Sequence, residues 1–197
     1  FDLQHLLTKF RKDHYRRKEL EQVEITADTD KLTGLANRRR MDEFLDAMLT
    51  LFPEEKKPFS FIIADVDHFK HYNDTHGHQL GDVVLASVAS IFKNNIRRGD
   101  LAARFGGEEF VVLLQDCSIN NALLIVEDMR SSIASNEFLI NDKKFNITAT
   151  FGISQIHPDD KDYKDAISRA DIAMYDGKSH GKNQVCLATE PRTNTND

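Results

Sequence analysis

A short apolar run that ends in two carboxylates is the feature that most constrains how this chain can fold. Residues 59–64 read Phe-Ser-Phe-Ile-Ile-Ala, and Asp65 and Asp67 follow with one valine between them. A run this short, apolar on both faces, predicts a strand buried inside a sheet. Side chains at positions i and i+2 of a strand share a face, so both carboxylates can face one pocket where the strand ends.

Carboxylates in such a place need a partner. An ionised carboxylate beside apolar residues is costly unless it is paired with a cation or binds a metal. Hard oxygen ligands suit Mg²⁺, which takes one or two carboxylates and completes its shell with water and phosphate. The alternative for Asp65 and Asp67 is a hydrogen-bonding pair that starts a loop. The residues alone leave both interpretations open.

Periodicity along the rest of the chain predicts a mixed α/β domain. Pro53 and Pro58 bracket a loop before the first strand, and Gly106-Gly107 joins two strands in a tight hairpin. The order strand-helix-strand-strand-helix-strand is that of the ferredoxin-like split βαβ unit, which predicts a largely antiparallel central sheet flanked by helices. Helices are predicted at 38–52, 81–92, 121–134 and 163–180, and further strands at 101–105, 110–114, 147–153 and 184–187.

The two ends of the chain differ from the domain at 28–188. Residues 1–27 are rich in basic side chains, contain no Gly or Pro, and have apolar residues at helical spacing. They predict an amphipathic entry helix or the end of a helical stalk that carries a signal from an upstream sensor. Residues 189–197 form a polar tail, and the chain begins at Phe1, so we expect a piece of a longer protein.

The composition excludes several classes of protein. Of 197 residues, 40% are hydrophobic and 29% are charged, which fits one globular domain with an appended segment. A net charge of -6 argues against an extended nucleic-acid surface, so no nucleic-acid partner is expected. Cys117 and Cys186 cannot build a disulfide framework and indicate a reducing compartment. No apolar stretch approaches the roughly 18 residues of a membrane helix. We therefore expect a cytoplasmic domain, whether or not the full-length protein is anchored in a membrane.

The predicted hairpin carries a second pair of acids. Glu108 and Glu109 follow Gly106 and Gly107 directly and must point to opposite sides of the strand. The glycines permit positive φ at both turn positions and leave no Cβ in the way of a ligand. A plain hairpin turn beside a solvated acid is the alternative, but the predicted sheet brings Glu108 to the same end as Asp65.

A series of motifs in this order resembles the GGDEF family, the diguanylate cyclases, and the resemblance covers residues 28–187. The signature has the GGEEF form. The resemblance implies a palm-like fold shared with nucleotidyl cyclases, and condensation of two GTP molecules into cyclic di-GMP with release of two pyrophosphates. The motifs are DKLTGLANRR at 30–39, DVDHFK at 65–70, ND at 73–74, GH at 77–78, GD at 81–82, GGEEF at 106–110 and YDGKSHGKN at 175–183.

The resemblance also implies a catalytic metal centre. Asp65 and Glu108 would hold Mg²⁺, or Mn²⁺ in its place, with the Val66 carbonyl as a further ligand. Metal ions stabilise the attacking and leaving oxygens when the 3′-hydroxyl of one GTP attacks the α-phosphorus of the other. Glu108, or a hydroxide ion beside it, would accept the hydroxyl proton. Glu109 would either support the ligands from behind or orient the nucleophile.

Substrate contacts follow from the same resemblance. Asn73 and Asp82 would meet the guanine edge, where a carboxylate accepts from N1–H and the 2-amino group, which adenine lacks. Helix capping is the alternative for these two residues, because both precede predicted helical stretches. The remaining implied contacts are Lys70, Lys178 and Lys182 to the phosphates, and His68, Phe69, Gly106 and Gly107 around the substrate.

Regulation and assembly are implied as well. Arg97 and Asp100 fit the RxxD inhibitory site of the family, which would bind the product cyclic di-GMP; a solvated arginine after a helix is the alternative. Because one site holds one GTP, the reaction needs two domains that face each other as a homodimer.

Two other functions remain as alternatives. Some members of the family have lost the metal-binding acids or the glycines and act as receptors for GTP or cyclic di-GMP; Asp65, Gly106, Gly107 and Glu108 are all present here. The second alternative is a metallohydrolase with Zn²⁺ or Fe bound by a mixed histidine and aspartate cluster. Its candidate ligands are His68, His71, His76 and His78 with Asp65, Asp67, Asp74 and Asp82.

Overall fold

A computed structural model describes residues 27–55, 57–140, 143–157, 160 and 162–189 of the chain. The predicted entry helix lies outside the described residues apart from residue 27, and the polar tail apart from residue 189. The elements in chain order are α1 Arg38–Glu55, β1 Ser60–Val66, α2 Phe69–His76, α3 His78–Asn95, β2 Leu101–Arg104, β3 Glu109–Leu114, α4 Ile119–Ser135, β4 Glu137–Ile140, β5 Lys143–Asn146, β6 Ala149–Gln155, α5 Tyr163–Ser179 and β7 Val185–Leu187.

The central sheet has five strands in the order β2-β3-β1-β6-β7. β1 lies in the middle and pairs antiparallel with β3 and β6, while β7 pairs parallel with β6. All seven residues of β1 are buried, as expected for a strand covered on both faces. The predicted α/β class and the mostly antiparallel sheet are confirmed.

Helices cover both faces of this sheet. On one face, Phe92 of α3 packs edge-on against Phe110 of β3 and Phe151 of β6, in a cluster that also includes α4 residues such as Val126. The other face is covered by α1 and α5, which contribute the fully buried Met41 and Ala170, among others. Within the described ranges, no helix is both long and apolar enough to cross a bilayer.

One local expectation was wrong, and two short elements were not predicted. α1 continues through Pro53 to Glu55, because a proline in the last turn of a helix removes one amide donor without ending the helix at that residue. A separate short helix, α2, precedes α3, and the hairpin of β4 and β5 interrupts the connection from α4 to β6. The hairpin packs on α2 through the stacked rings of Phe145 and His76. Both elements are too short to show a clear period in the sequence.

Candidate active site

A cavity of about 390 Å³ opens at the end of β1 where the chain turns into α2. The turn is made by His68, which has a positive φ of 57°. The cavity gathers most of the side chains that the sequence predicts for metal and phosphate binding. Its walls are formed by Asp65, Asp67, His68, Phe69, Lys70, His71, Asp74, Glu108, Lys178 and Lys182.

Asp65 and Glu108 meet in this cavity because β1 and β3 are neighbours. Asp65 pairs with Glu109 in the strand register, and the Val66 amide donates to the Glu108 carbonyl at 3.2 Å. Lys178, in the last turn of α5, places its Nζ 2.7 Å from Asp65 Oδ2. The Asp65 side chain is 8% exposed, so this ion pair is largely shielded from water.

Burial raises the pKa values of both carboxyl groups. For Asp65, desolvation outweighs the hydrogen bond and positive charge of Lys178, and the charge of Asp67 raises the pKa further. For Glu108, desolvation is again the main cause, and the charges of Asp65 and Glu109 add to it against the opposing effect of Lys178. A site that disfavours its own negative charge is one in which a bound cation is strongly stabilised.

The donor set fits a hard divalent cation. Two carboxylates from adjacent strands, with a backbone carbonyl such as that of Val66 next to them, match the ligands that Mg²⁺ takes from a protein. In the part of the chain that the structure describes, no group of three or more His, Cys, Asp or Glu side chains is close enough to share a metal. The histidines and aspartates around α2 therefore do not form the centre that the metallohydrolase alternative requires.

Asp67 has a structural role instead. Its carboxylate is 4% exposed and accepts hydrogen bonds from the hydroxyls of Thr148 and Thr150, each at 2.7 Å. The backbone amide of Asn183 donates to it at 3.0 Å. Asp67 thus ties the end of β1 to β6 and to the loop before β7, and its oxygens are engaged by protein donors. The hydrogen-bonding alternative therefore describes Asp67, whereas Asp65 is paired with Lys178 at the cavity wall.

The signature turn separates its two glutamates. Glu108 lines the cavity, while Glu109 lies against the turn, where a Cβ on Gly106 would be 2.6 Å from its Oε2. The turn does not use the freedom of its glycines to adopt positive φ, since neither Gly106 nor Gly107 is among the residues with positive φ. Gly106 allows the close approach of the Glu109 carboxylate, and Gly107 has open space where a Cβ would stand.

Arg104 holds this turn and was missed in the sequence. Its Nη2 donates to the Gly107 carbonyl at 2.7 Å and its Nε to the Gly106 carbonyl at 3.1 Å. The same guanidinium lies 3.4 Å from the Asp30 carboxylate, which also accepts from the amide and hydroxyl of Thr33. Arg104 therefore links the first motif of the chain to the signature turn. The signal available was an arginine two residues before a Gly-Gly turn.

Asn73 and Asp82 lie outside the cavity wall. Asn73 is inside α2 and Asp82 is inside α3, whose preceding residues are His68 and Gly77, so the helix-capping alternative is wrong. The Asn73 Oδ1 is buried without a hydrogen-bond partner. It lies over Gly81, where a Cβ would be only 1.9 Å away. Asp82 is exposed beside this close contact. The buried Asn73 Oδ1 is therefore an acceptor without a donor, and the exposed Asp82 carboxylate lies next to it.

Arg97 and Asp100 form a second site, at the other end of β3. The Asp100 carboxylate is 4% exposed and accepts from the amides of Arg97, at 3.2 Å, and Gln115, at 3.0 Å. The Arg97 guanidinium is 61% exposed and donates to the Gln115 carbonyl. Both side chains line a cavity of about 350 Å³ that also includes Cys117 and Leu124. Asp100 orders the turn, and Arg97 presents a cation at its surface.

Comparison with known proteins gives a consistent result. The family profile "Diguanylate cyclase, GGDEF domain" matches residues 27–184. "Diguanylate cyclase A" of Treponema denticola is 41% identical over 135 residues, which is 68% of this chain and 36% of that protein. "Response regulator PleD" of Caulobacter vibrioides is 36% identical over 173 residues, which is 87% of this chain and 38% of that protein. The chain thus spans little more than a third of the length of these relatives.

A solved structure extends the likeness to the fold. The coiled coil and GGDEF domain of DgcB from Caulobacter crescentus, solved in complex with c-di-GMP, superposes with a TM-score of 0.86 at 31% identity. The match covers 94% of this chain and 98% of that one. The profile match spans most of the described fold, including Asp65 and Glu108 of the cavity and the signature turn. This chain belongs to the GGDEF domain family of diguanylate cyclases.

Proposed function

We propose that this domain condenses two molecules of GTP into cyclic di-GMP and two pyrophosphates. The observation that carries the proposal is the convergence of Asp65 and Glu108 with Lys178 in one cavity at the end of β1. Two acids for a cation and a lysine for a phosphate are the groups that phosphoryl transfer requires. The names of the relatives, in which diguanylate cyclase recurs, support the same reaction.

Asp65, Glu108 and the Val66 carbonyl would hold Mg²⁺, with Mn²⁺ as a substitute. The bound ion would stabilise charge on the attacking and leaving oxygens. Lys70, Lys178 and Lys182 line the cavity and would bind phosphate oxygens as point charges. His68 and Phe69 form the wall beside them, and Gly107 leaves space for a nucleotide to approach the turn.

The 3′-hydroxyl of the attacking GTP must lose a proton. Glu108 lines the cavity beside the implied metal site, and its carboxylate, or a hydroxide ion next to it, would accept this proton. Glu109 lies against Gly106. Its role in this proposal is to hold the shape of the turn rather than to touch substrate.

Guanine recognition is assigned to Asn73 and Asp82. The Asn73 Oδ1 has no hydrogen-bond partner in the protein but is buried over Gly81, so the half-buried side chain would have to rotate to present it to the donor edge of guanine, where N1–H and the 2-amino group lie. Asp82 offers a second acceptor nearby. Adenine carries a lone pair at N1 and no 2-amino group, so ATP would leave these acceptors unpaired, which disfavours it.

Assembly and control follow from the same reaction. Two domains would face each other as a homodimer, each presenting one GTP. Cyclic di-GMP would bind the exposed Arg97 beside Asp100 and inhibit the enzyme, with the cavity there accommodating part of the ligand. In the full-length protein an upstream sensor would set how the domains meet. The reaction belongs to the cytoplasm, where GTP is available.

Incubation with GTP and Mg²⁺, with products separated by chromatography, tests the proposal. We expect cyclic di-GMP from GTP and none from ATP, at a protein concentration high enough to favour dimers. Absence of product under those conditions, together with binding of cyclic di-GMP, would instead support the receptor alternative.

A further inference from the structure

We propose that Lys178 occupies the metal-binding carboxylate of Asp65 in the nucleotide-free domain, so that metal and nucleotide bind cooperatively. The inference rests on the proposed function, because it concerns the same site. It adds a second role for Lys178: before substrate arrives, its ammonium stands where a divalent cation would make its contact with Asp65.

The contact itself is specific. Lys178 Nζ lies 2.7 Å from Asp65 Oδ2, with side chains 29% and 8% exposed. Among the described residues, Lys178 is the one cation within ion-pair distance of Asp65. Asp67 does not compete for the ammonium, because Thr148, Thr150 and Asn183 already donate to its carboxylate. A shielded ion pair of this kind is not weakened by water in the way that a surface pair is.

Packing fixes the backbone of α5 next to Lys178, so only the lysine side chain can move when a ligand binds. A Cβ on the preceding Gly177 would lie 2.8 Å from Cys186 Sγ and 2.9 Å from Thr150 Cγ2. The end of α5 is therefore packed directly onto β6 and β7 and cannot slide towards or away from the site. The lysine has a flexible stem of four carbons, so its ammonium can leave Asp65 while the helix stays in place.

A bound triphosphate would draw the Lys178 ammonium away from Asp65. Lys178 and Lys182 line one cavity with the two acids, so phosphate oxygens in that cavity would come within reach of the Lys178 ammonium. When the ammonium turns to phosphate, the Asp65 carboxylate is released for the cation. Metal alone must displace the lysine, whereas metal with nucleotide meets a carboxylate that is already free. By linkage, each ligand then raises the affinity for the other.

Titration with Mn²⁺ alone, followed by the EPR signal of the free ion, tests the inference without turnover. Lys178→Met keeps the length of the stem and removes the charge. We expect it to bind Mn²⁺ about tenfold more tightly than the wild type in the absence of nucleotide, within the range typical of coupled sites. Addition of a non-reactive GTP analogue should raise the Mn²⁺ affinity of the wild type by a larger factor than that of Lys178→Met, in which only ligation of the ion by the phosphates remains to couple the two ligands.

Lys182→Met is the matched control, because it removes one positive charge from the same cavity without breaking an ion pair to Asp65. An equal gain in Mn²⁺ affinity in both variants would mean a general charge effect and would overturn the inference. No gain, or a loss, in Lys178→Met would overturn it too. Asp65→Asn separates this failure from that of the proposed function: if it leaves Mn²⁺ binding with the GTP analogue intact, the metal role of Asp65 itself is wrong. Thermal unfolding of each variant verifies that it is folded.

Discussion

The guanidinium of Arg104 lies 3.4 Å from the carboxylate of Asp30, although 74 positions separate them in the chain. Arg104 also donates to the carbonyls of Gly106 and Gly107, so the signature turn is held from outside the cavity. Neither residue lines the cavity around Asp65. The turn that carries Glu108 is thus tied to the first motif of the chain through Arg104.

Replacing Arg104 by lysine tests this dependence. Lysine keeps the charge but cannot donate to two carbonyls and a carboxylate together. We expect kcat to fall about tenfold or more, as for residues that support a site from behind, with a much smaller change in KM for GTP. Steady-state kinetics with GTP measures the changes in kcat and in KM separately. Arg40→Lys on the exposed face of α1 is the control, and a rise in KM with unchanged kcat would contradict the positioning role.

The stability of the same contact should depend on pH. Burial alone would raise the pKa of Asp30, but the hydrogen bonds from Thr33 and the charge of Arg104 outweigh it and lower the pKa below its ordinary value of 3.8. The folded state therefore binds this proton less readily than the unfolded state does. The stabilisation by Asp30 is complete above about pH 5 and is lost as the pH falls through 3.8 and below.

Asp30→Asn makes this dependence measurable. The difference in unfolding free energy between wild type and variant should be about 1 kcal/mol at pH 7 and should shrink towards pH 3. Urea titrations at several pH values give the comparison, beside Asp46→Asn on the exposed face of α1. A difference that grows as the solution is acidified would be the opposite of the expected sign.

The two aspartates at the end of β1, Asp65 and Asp67, should differ in their response to the same change. Asp67→Asn places an amide where Thr148, Thr150 and Asn183 all donate, so we expect a loss of about 3 kcal/mol in unfolding free energy. Asp65→Asn removes a charge that burial already disfavours, and stability should change by less than about 1 kcal/mol. Urea unfolding measures both; equal losses would contradict the division of roles.

Arg97→Ala should relieve product inhibition. The guanidinium is exposed and its removal leaves the buried Asp100 with both amide donors, so the turn should persist. We expect the progress curve to remain linear for longer and more product to accumulate, with an unchanged initial velocity. Arg98→Ala, an exposed neighbour, is the control and should keep the wild-type curve. Identical curves for Arg97→Ala and wild type would argue against an inhibitory site.

The local sequence pattern was sufficient to predict those elements whose structure depends on a single segment of the chain. The buried strand before Asp65 and the hairpin that carries Glu108 could both be read from short apolar runs and glycines, because their periods are characteristic. The motif resemblance then placed Lys178 in the same site as Asp65.

What could not be predicted depends on contacts between distant segments. The engagement of Asp67 requires Thr148, just before β6, and Thr150 within it, and the role of Arg104 requires Asp30. The sequence suggested helix capping for Asn73 as an alternative, since the short helix α2 has too few residues for a clear period. The ion pair of Lys178 with Asp65 likewise appears only when α5 packs onto the sheet.

Turnover of GTP by the wild type, Asp65→Asn and Glu108→Gln, measured beside equilibrium binding of a GTP analogue, tests the central claim most directly. Both substitutions keep the size of the side chain and remove its charge. We predict that the wild type forms cyclic di-GMP, and that each variant loses a hundredfold or more in kcat, about the effect of removing one transition-state contact, while still binding the analogue. A variant that keeps kcat within a few fold of the wild type would contradict the assignment of these two carboxylates to the chemistry.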